Sequence, residues 1–246
     1  MRIAICIPRH GDTKGEFTIS LARMLVRTLS IPVGSPAGPI KFEIEIFSAT
    51  SSNLPANRTG LLKRAMAWEA RYLLWLDADH IFPPDGLLRL LKHGLPVVGC
   101  NYPRRAEPTG PTATRYNEKG ELEQLWTTAE KAKQRVVEEV AVLGLGFCLI
   151  DMTIFHAVKA HVEKGVGWAN WAPFDRKLYP GTNARMGEDA SFFSELRDAG
   201  IKIWVDHELS WAIGHIGERI LMNSDAEAER EAWVAAQGEG GGLQRG

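Results

Sequence analysis

Three cysteines in 246 residues are too few, and odd in number, for a disulfide framework, and their spacing matches no zinc motif. Cys6, Cys100 and Cys148 each lie within or at the end of an apolar run. Buried thiols of a reduced, cytoplasmic chain are therefore expected. Long hydrophobic runs are missing too. The longest, VAVLGLGFCLI at 140–150, falls well short of the ~20 residues a membrane helix needs. The N-terminal MRIAICIPRHGD has too short an apolar core for a secretory signal, so a soluble protein without stable membrane insertion is expected. Neither sign of charge is in excess. With 29 basic and 30 acidic side chains and a formal net charge of -1, nothing pulls the whole chain toward nucleic acid or a lipid surface. No internal repeat is present.

What the chain does have is alternation. RIAICIP at the start reads as a buried strand stopped by Pro8, and Leu21, Met24, Leu25 and Leu29 mark a helix over 16–30. KFEIEIF alternates strictly, with Phe42, Ile44 and Ile46 on one face. A helix through TGLLKRAMAWEA leads into the strand RYLLWLDAD; PPDGLLRLLKHG carries helix start and stop signals, and PVVGC is a short strand. This pattern predicts an α/β fold with a mixed, mostly parallel sheet flanked by helices. Past residue 101 come a loop rich in proline and arginine and then a hairpin around Asn117 to Gly120. RVVEEVAVLGLGFCLID reads as one strand with glycine kinks, and Asp151 or Thr153 can cap the helix after it. An aromatic loop at 165–187 has the length of a lid or binding loop. EDASFFSELRDAG is a helix closed by Gly200, IKIWVD a strand, and 225–237 a helix before a flexible glycine-rich end.

LLWLDADHIFP places two carboxylates and an imidazole at the mouth of a buried strand. Residues two apart on a strand face the same side, so Asp77 and Asp79 can converge on one point. Parallel α/β sheets bind ligands beyond the carboxyl ends of their strands, and such a pair suits Mg²⁺ or Mn²⁺ shared with phosphates. A solvated acidic turn is the alternative. Glu188 and Asp189 open a later helix, where the macrodipole alone favours acids; a catalytic carboxylate is the functional reading. His215 sits between two glycines in WAIGHIGE and can be a core residue or a metal ligand. Arg9 and His10 after the first strand, and Asn57 and Arg58 after Pro55, supply donors at the same predicted sheet edge. GLGF at 144–147 lacks the spacing of a dinucleotide fingerprint and reads as a strand bulge.

Taken in order, these features resemble the GT-A fold nucleotide-sugar glycosyltransferases, especially small bacterial and phage-type members close to the large inverting family. LDADHIFPPDGL, GEDASFFSELRDAGIKIWVD and GHIG carry the resemblance most sharply, and it spans residues 1 to about 218. It implies a Rossmann-like domain over 1–218, with a nucleotide-binding half (1–100), an acceptor and catalytic half (101–218), and an appended helix and tail (219–246). It further implies that Asp77, Ala78 and Asp79 form the acidic motif holding a nucleotide diphosphate and its divalent metal, with His215 completing the metal site. Asp189 corresponds to the base toward the acceptor, Glu188 to its neighbour in the same motif, and Pro8, Arg9, Asn57 and Arg58 to nucleoside contacts. A hexosyltransferase-like enzyme using a UDP- or GDP-sugar, Mn²⁺ or Mg²⁺, and inversion at the anomeric centre is the expectation, with a homo-oligomer possible. The Gln-x-x-Arg-Trp motif of processive polymerases is missing. Two other readings stay open: a metal-dependent nucleotidyltransferase, although PRHGDTKG is a poor match to its glycine-rich loop, and a nucleotide-sugar-binding protein without turnover.

Overall fold

The runs at the start of the chain and at 72–76 are apolar at nearly every position because each strand they form is buried on both faces. In the computed structural model the described residues are 1–35, 38–179 and 181–239; the glycine-rich end at 240–246, expected to be flexible, lies outside them. The first half runs β1 (Arg2–Arg9), α1 (Gly15–Ser30), the small hairpin β2 (Val33–Ser35) and β3 (Gly38–Ile40), β4 (Glu43–Thr50), α2 (Leu54–Ala67), β5 (Tyr72–Leu76), β6 (His80–Ile81), α3 (Gly86–His93) and β7 (Val97–Gly99). The second half adds β8 (Thr114–Tyr116), β9 (Leu122–Gln124), α4 (Ala129–Lys133), β10 (Val137–Val140), β11 (Phe147–Asp151), α5 (Phe155–Val162), α6 (Glu188–Asp198) and β12 (Ile203–Asp206). It closes with α7 (His207–Trp211), β13 (Gly214–Ile216), β14 (Ile220–Leu221), α8 (Asn223–Ala228) and α9 (Arg230–Glu239).

Seven strands form the central sheet in the order β10-β12-β7-β11-β5-β1-β4. Only β10 and β11 run against the other five, as their antiparallel pairing with β12, β5 and β7 shows. The mixed, mostly parallel sheet flanked by helices is the Rossmann-like class expected from the sequence. Side chains sort by strand alternation. Ile3, Ile5, Ile7, Leu74 and Leu76 join Phe17 and Met24 of α1 and Leu87 and Leu90 of α3 on one face. Ala4, Cys6, Leu73 and Trp75 join Leu61 and Leu62 of α2, Val158 of α5 and Phe192 of α6 on the other. All three cysteines are free and buried. No described helix is long and apolar enough to cross a membrane.

Several elements differ from expectation. Pro8 does not stop β1; it pairs with Ala49 of β4, beyond Cys6, where β1 loses its β5 neighbour, so the missing N–H costs no ladder bond on that side. The stretch at 135–151 is two strands in different parts of the sheet: β10 lies at the edge beside β12, and β11 between β7 and β5. Leu29 is exposed, because the buried stripe of α1 runs through Phe17, Met24 and Thr28 and the next residue is rotated away. On β4, an edge strand, Ile46 is exposed while Phe47 is buried. Helix α2 starts five residues before TGLL, at Leu54, because the Asn53 side chain accepts a hydrogen bond from the Ala56 amide. The aromatic loop is anchored rather than free: Trp171 and Phe174 are buried, and Phe174 stacks on Phe192 at 4.7 Å. The chain after β14 forms two helices, and Trp233 of α9 packs edge-on against Trp126 at 5.5 Å.

Candidate active site

The carboxyl end of β5 divides the site into two halves, because the strand stops at Leu76 and the chain turns at Ala78 and Asp79. Strand alternation no longer applies there, and Asp77 and Asp79 have different partners. Asp79 goes to one half and Asp77 to the other.

In the first half, β13 pairs antiparallel with β6 and sets His215 opposite His80. Their rings stack with centroids 4.5 Å apart and planes 12° from parallel. Gly214 permits this approach, since a Cβ there would lie 2.7 Å from Ile81, Ile220 and Met222. His215 Nδ1 donates to the carbonyl of Pro103 at 2.8 Å, and its Nε2 lies 3.5 Å from Asp79 Oδ2. His80 Nδ1 is 3.1 Å from Asp79 Oδ1 but out of hydrogen-bond geometry. Ligand atoms of Asp79, His80 and His215 lie within 4.8 Å of one another. His80 is wholly buried, and both of its ring nitrogens and Asp79 Oδ1 lack a hydrogen-bond partner. Buried polar atoms without partners are costly, and one carboxylate oxygen beside two imidazoles is a donor set that Mn²⁺ or a related divalent ion satisfies. The residues present therefore fit such a cation. Burial pushes the Asp79 carboxyl up, but the two imidazoles outweigh it and hold the group well below the usual carboxylate range. From the loop after β7, Arg105 reaches Asp79 Oδ2 at 3.0 Å.

The second half centres on Arg58, which is 1% exposed. Its Nη2 lies 3.1 Å from Asp77 Oδ1, its Nε 3.6 Å from Asp189 Oδ1, and its guanidinium 5.3 Å from the centroid of the Trp75 ring. Asp189 stands in the first turn of α6, and its Oδ2 accepts from the Leu145 amide at 3.0 Å. Burial raises its pKa to about 7; Arg58 opposes that shift, while Glu188 and Asp77 add to it. Glu188 faces Arg176 at 3.7 Å.

Tyr102 and the glycines before β11 join the halves. The Gly146 amide donates to the Tyr102 hydroxyl at 2.9 Å, and the Tyr102 ring meets His80 edge-on at 4.3 Å. A Cβ at Gly146 would come within 2.6 Å of His80 Cε1, and one at Gly144 within 2.1 Å of the Tyr102 hydroxyl oxygen. The Gly-x-Gly thus serves close packing beneath the site.

The remaining expected residues are spent on their neighbours. Arg9 Nε donates to Ser48 Oγ at 2.9 Å, and Asn57 Nδ2 to the carbonyls of Ser51 and Arg9 at 3.3 and 3.5 Å. Pro8 lies in β1, and the Ala78 carbonyl accepts from the Lys14 amide at 3.5 Å. Arg58 touches acids rather than solvent. Sequence reasoning had no place for Tyr102, Arg104 or Arg105 in the site. His80 stands beside the two acids in the sequence, but no role in the site was assigned to it there.

No protein-family model matches the chain, and no curated protein matches it by sequence. Among solved structures it is similar to A197 from STIV, at TM-score 0.51 and 19% identity, covering 92% of each chain. It is also similar to GalNAc-T7, solved with UDP, GalNAc and Mn²⁺, at TM-score 0.48 and 10% identity, covering 87% of this chain and 44% of that one. The likeness to A197 is a likeness of fold.

Proposed function

We propose that this protein is a divalent-metal-dependent glycosyltransferase, moving a sugar from a UDP- or GDP-sugar to an acceptor hydroxyl with inversion. One observation carries the reading: a cation-competent group of Asp79, His80 and His215 and a base-competent Asp189 lie at the same mouth of the sheet, on either side of Arg58 and Asp77. The motif order of the sequence supports it as well.

A bound Mn²⁺ or Mg²⁺ would be held by Asp79, His80 and His215, and supplies Lewis-acid neutralisation of the leaving diphosphate. Arg105, already beside Asp79, adds a second positive charge at the same place. Asp189 accepts the proton of the acceptor hydroxyl as its oxygen bonds the anomeric carbon and the bond to the diphosphate breaks. A carboxyl with a pKa near 7 is well matched to that task at neutral pH. The Leu145 amide and Arg58 fix the orientation of Asp189, and Asp77 fixes Arg58. Asp77 therefore acts through Arg58 and not as a metal ligand.

The test is a thermal-shift panel of UDP- and GDP-sugars with and without Mn²⁺, since a ligand that binds the folded state raises its melting temperature by mass action. Metal-dependent stabilisation by one donor, followed by donor hydrolysis or transfer, is the expected result. Stabilisation by nucleoside triphosphates alone, with pyrophosphate release, would assign a nucleotidyltransferase instead.

A further inference from the structure

A cavity of about 310 Å³ opens beside Asp189, between the β8–β9 hairpin, the loop before β11 and the first turn of α6. That volume is at the lower end of small-molecule sites, about 300–1,000 Å³, and suits one sugar-sized group. Its polar lining includes Tyr102, Arg104, Thr112, Thr114, Glu188 and Asp189.

Among the described residues, the acids around it each lie beside an arginine. Arg58 serves Asp77 and Asp189, Arg176 serves Glu188, and Arg105 serves Asp79. Arg104, next in the chain to Arg105, lines the cavity instead, and among the described residues its guanidinium has no acidic partner and no hydrogen-bond acceptor. The two successive arginines thus serve opposite halves of the site. Thr114 Oγ1, in the same cavity, is buried without a partner. Burial lowers the pKa of Arg104, with the Tyr179 and Tyr102 phenols opposing it, so the cation carries a desolvation cost that no protein carboxylate offsets. A guanidinium fork left open in a cavity matches a carboxylate or phosphate in bidentate geometry.

We infer that this cavity binds a small acceptor carrying an anionic group, a carboxylate or a phosphate ester, which Arg104 recognises while the acceptor hydroxyl faces Asp189. The assignment of the ligand as acceptor rests on the transferase reading; the anion site itself does not.

Binding of glucuronate, glucose 6-phosphate and glucose to the full chain, followed by ligand-observed NMR, tests it. Wild type is expected to favour one or both anionic probes over glucose by roughly tenfold or more, as a charge-assisted pair allows. The two anions distinguish a carboxylate from a phosphate source. Arg104→Gln should abolish the preference, whereas Arg104→Lys, a point charge without the fork, should keep part of it. No preference in the wild type, or a preference that survives Arg104→Gln, overturns the inference. If the preference vanishes with Arg104 yet no nucleotide sugar binds or turns over, the anion site stands and the transferase reading fails. If the wild type transfers to neutral sugars as readily as to anionic ones, the transferase stands and the anionic acceptor is wrong.

Discussion

Arg58 is shared between two carboxylates, with Nη2 3.1 Å from Asp77 Oδ1 and Nε 3.6 Å from Asp189 Oδ1. The cation is buried and the acids are partly exposed, at 26% and 23% of their side-chain surface. The link is therefore stronger than a surface pair and weaker than a fully dry one. It also ties the strand end at Asp77 to the first turn of α6, elements far apart in sequence.

Removing the Arg58 charge should cost stability before it costs anything else. Breaking a buried pair is worth about 3–5 kcal/mol, and the partial exposure of both acids puts Arg58→Met near the low end. Adding Asp77→Asn should recover part of the loss, since one orphaned carboxylate is then neutral. Urea denaturation of the two single variants and the double gives the coupling. Additive effects would mean that the Arg58–Asp77 contact contributes nothing.

The metal group distinguishes what the sequence implied from what the structure brings together. His80→Ala and His215→Ala should each weaken Mn²⁺ binding by at least roughly tenfold, the lower range even for residues that merely support a ligand. Asp77→Asn should leave Mn²⁺ affinity within a few-fold of wild type. Titration calorimetry with Mn²⁺ alone reads both. Loss of binding in Asp77→Asn with retention in His80→Ala would restore the acidic pair and remove the histidine.

Gly146 is held to glycine by its neighbours. An alanine methyl would lie 2.6 Å from His80 Cε1 and 2.8 Å from the Tyr102 ring and hydroxyl. Overpacking of this kind costs about 1–3 kcal/mol and displaces the softer neighbour, here the His80 ring. Gly146→Ala should then lower Mn²⁺ affinity while a chemical melt still shows a cooperative fold. Unaltered affinity would show that the ring moves without consequence.

Much of the fold was legible because periodicity records burial. Strands β1 and β5 are apolar on both faces, and Gly94 at φ 61 closes α3 where the sequence marks a stop. The split of 135–151 was hidden because glycines kink a strand and end one equally well. In the site, Asp79, His215 and Asp189 stand out by residue type and position. Arg58 was visible, but its burial was not, because a helix-start arginine looks solvated until the sheet edge closes over it. Alternation was applied to Asp77 and Asp79, but it holds only while the strand continues, and β5 ends at Leu76; the pairing of β6 with β13, which sets His80 opposite His215, leaves no local signal. Arg104 and Arg105 lie in a loop whose path no local pattern sets.

Asp189 carries the last prediction, on pH. Its pKa rises from an ordinary 3.8 to about 7, chiefly through burial. Between those values the folded chain holds a proton that the unfolded chain has released, so the Asp189 contribution to stability declines as pH rises from about 4 to about 7 and is flat above. Asp189→Asn cannot titrate. The stability of wild type relative to this variant should therefore fall across that window and then level, as read by thermal melts at a series of pH values. Turnover has the opposite slope, because only the ionised carboxylate accepts a proton: wild-type transfer should rise through pH of about 7. Asp189→Asn should lack that limb and turn over roughly 10²–10⁴-fold more slowly, with donor binding nearly intact. NMR assignment of the product's anomeric configuration completes the experiment. Near-normal turnover in the variant, or retention of configuration, would remove Asp189 as the base; a stability difference that does not change with pH would show that its carboxyl titrates as it does in the unfolded chain.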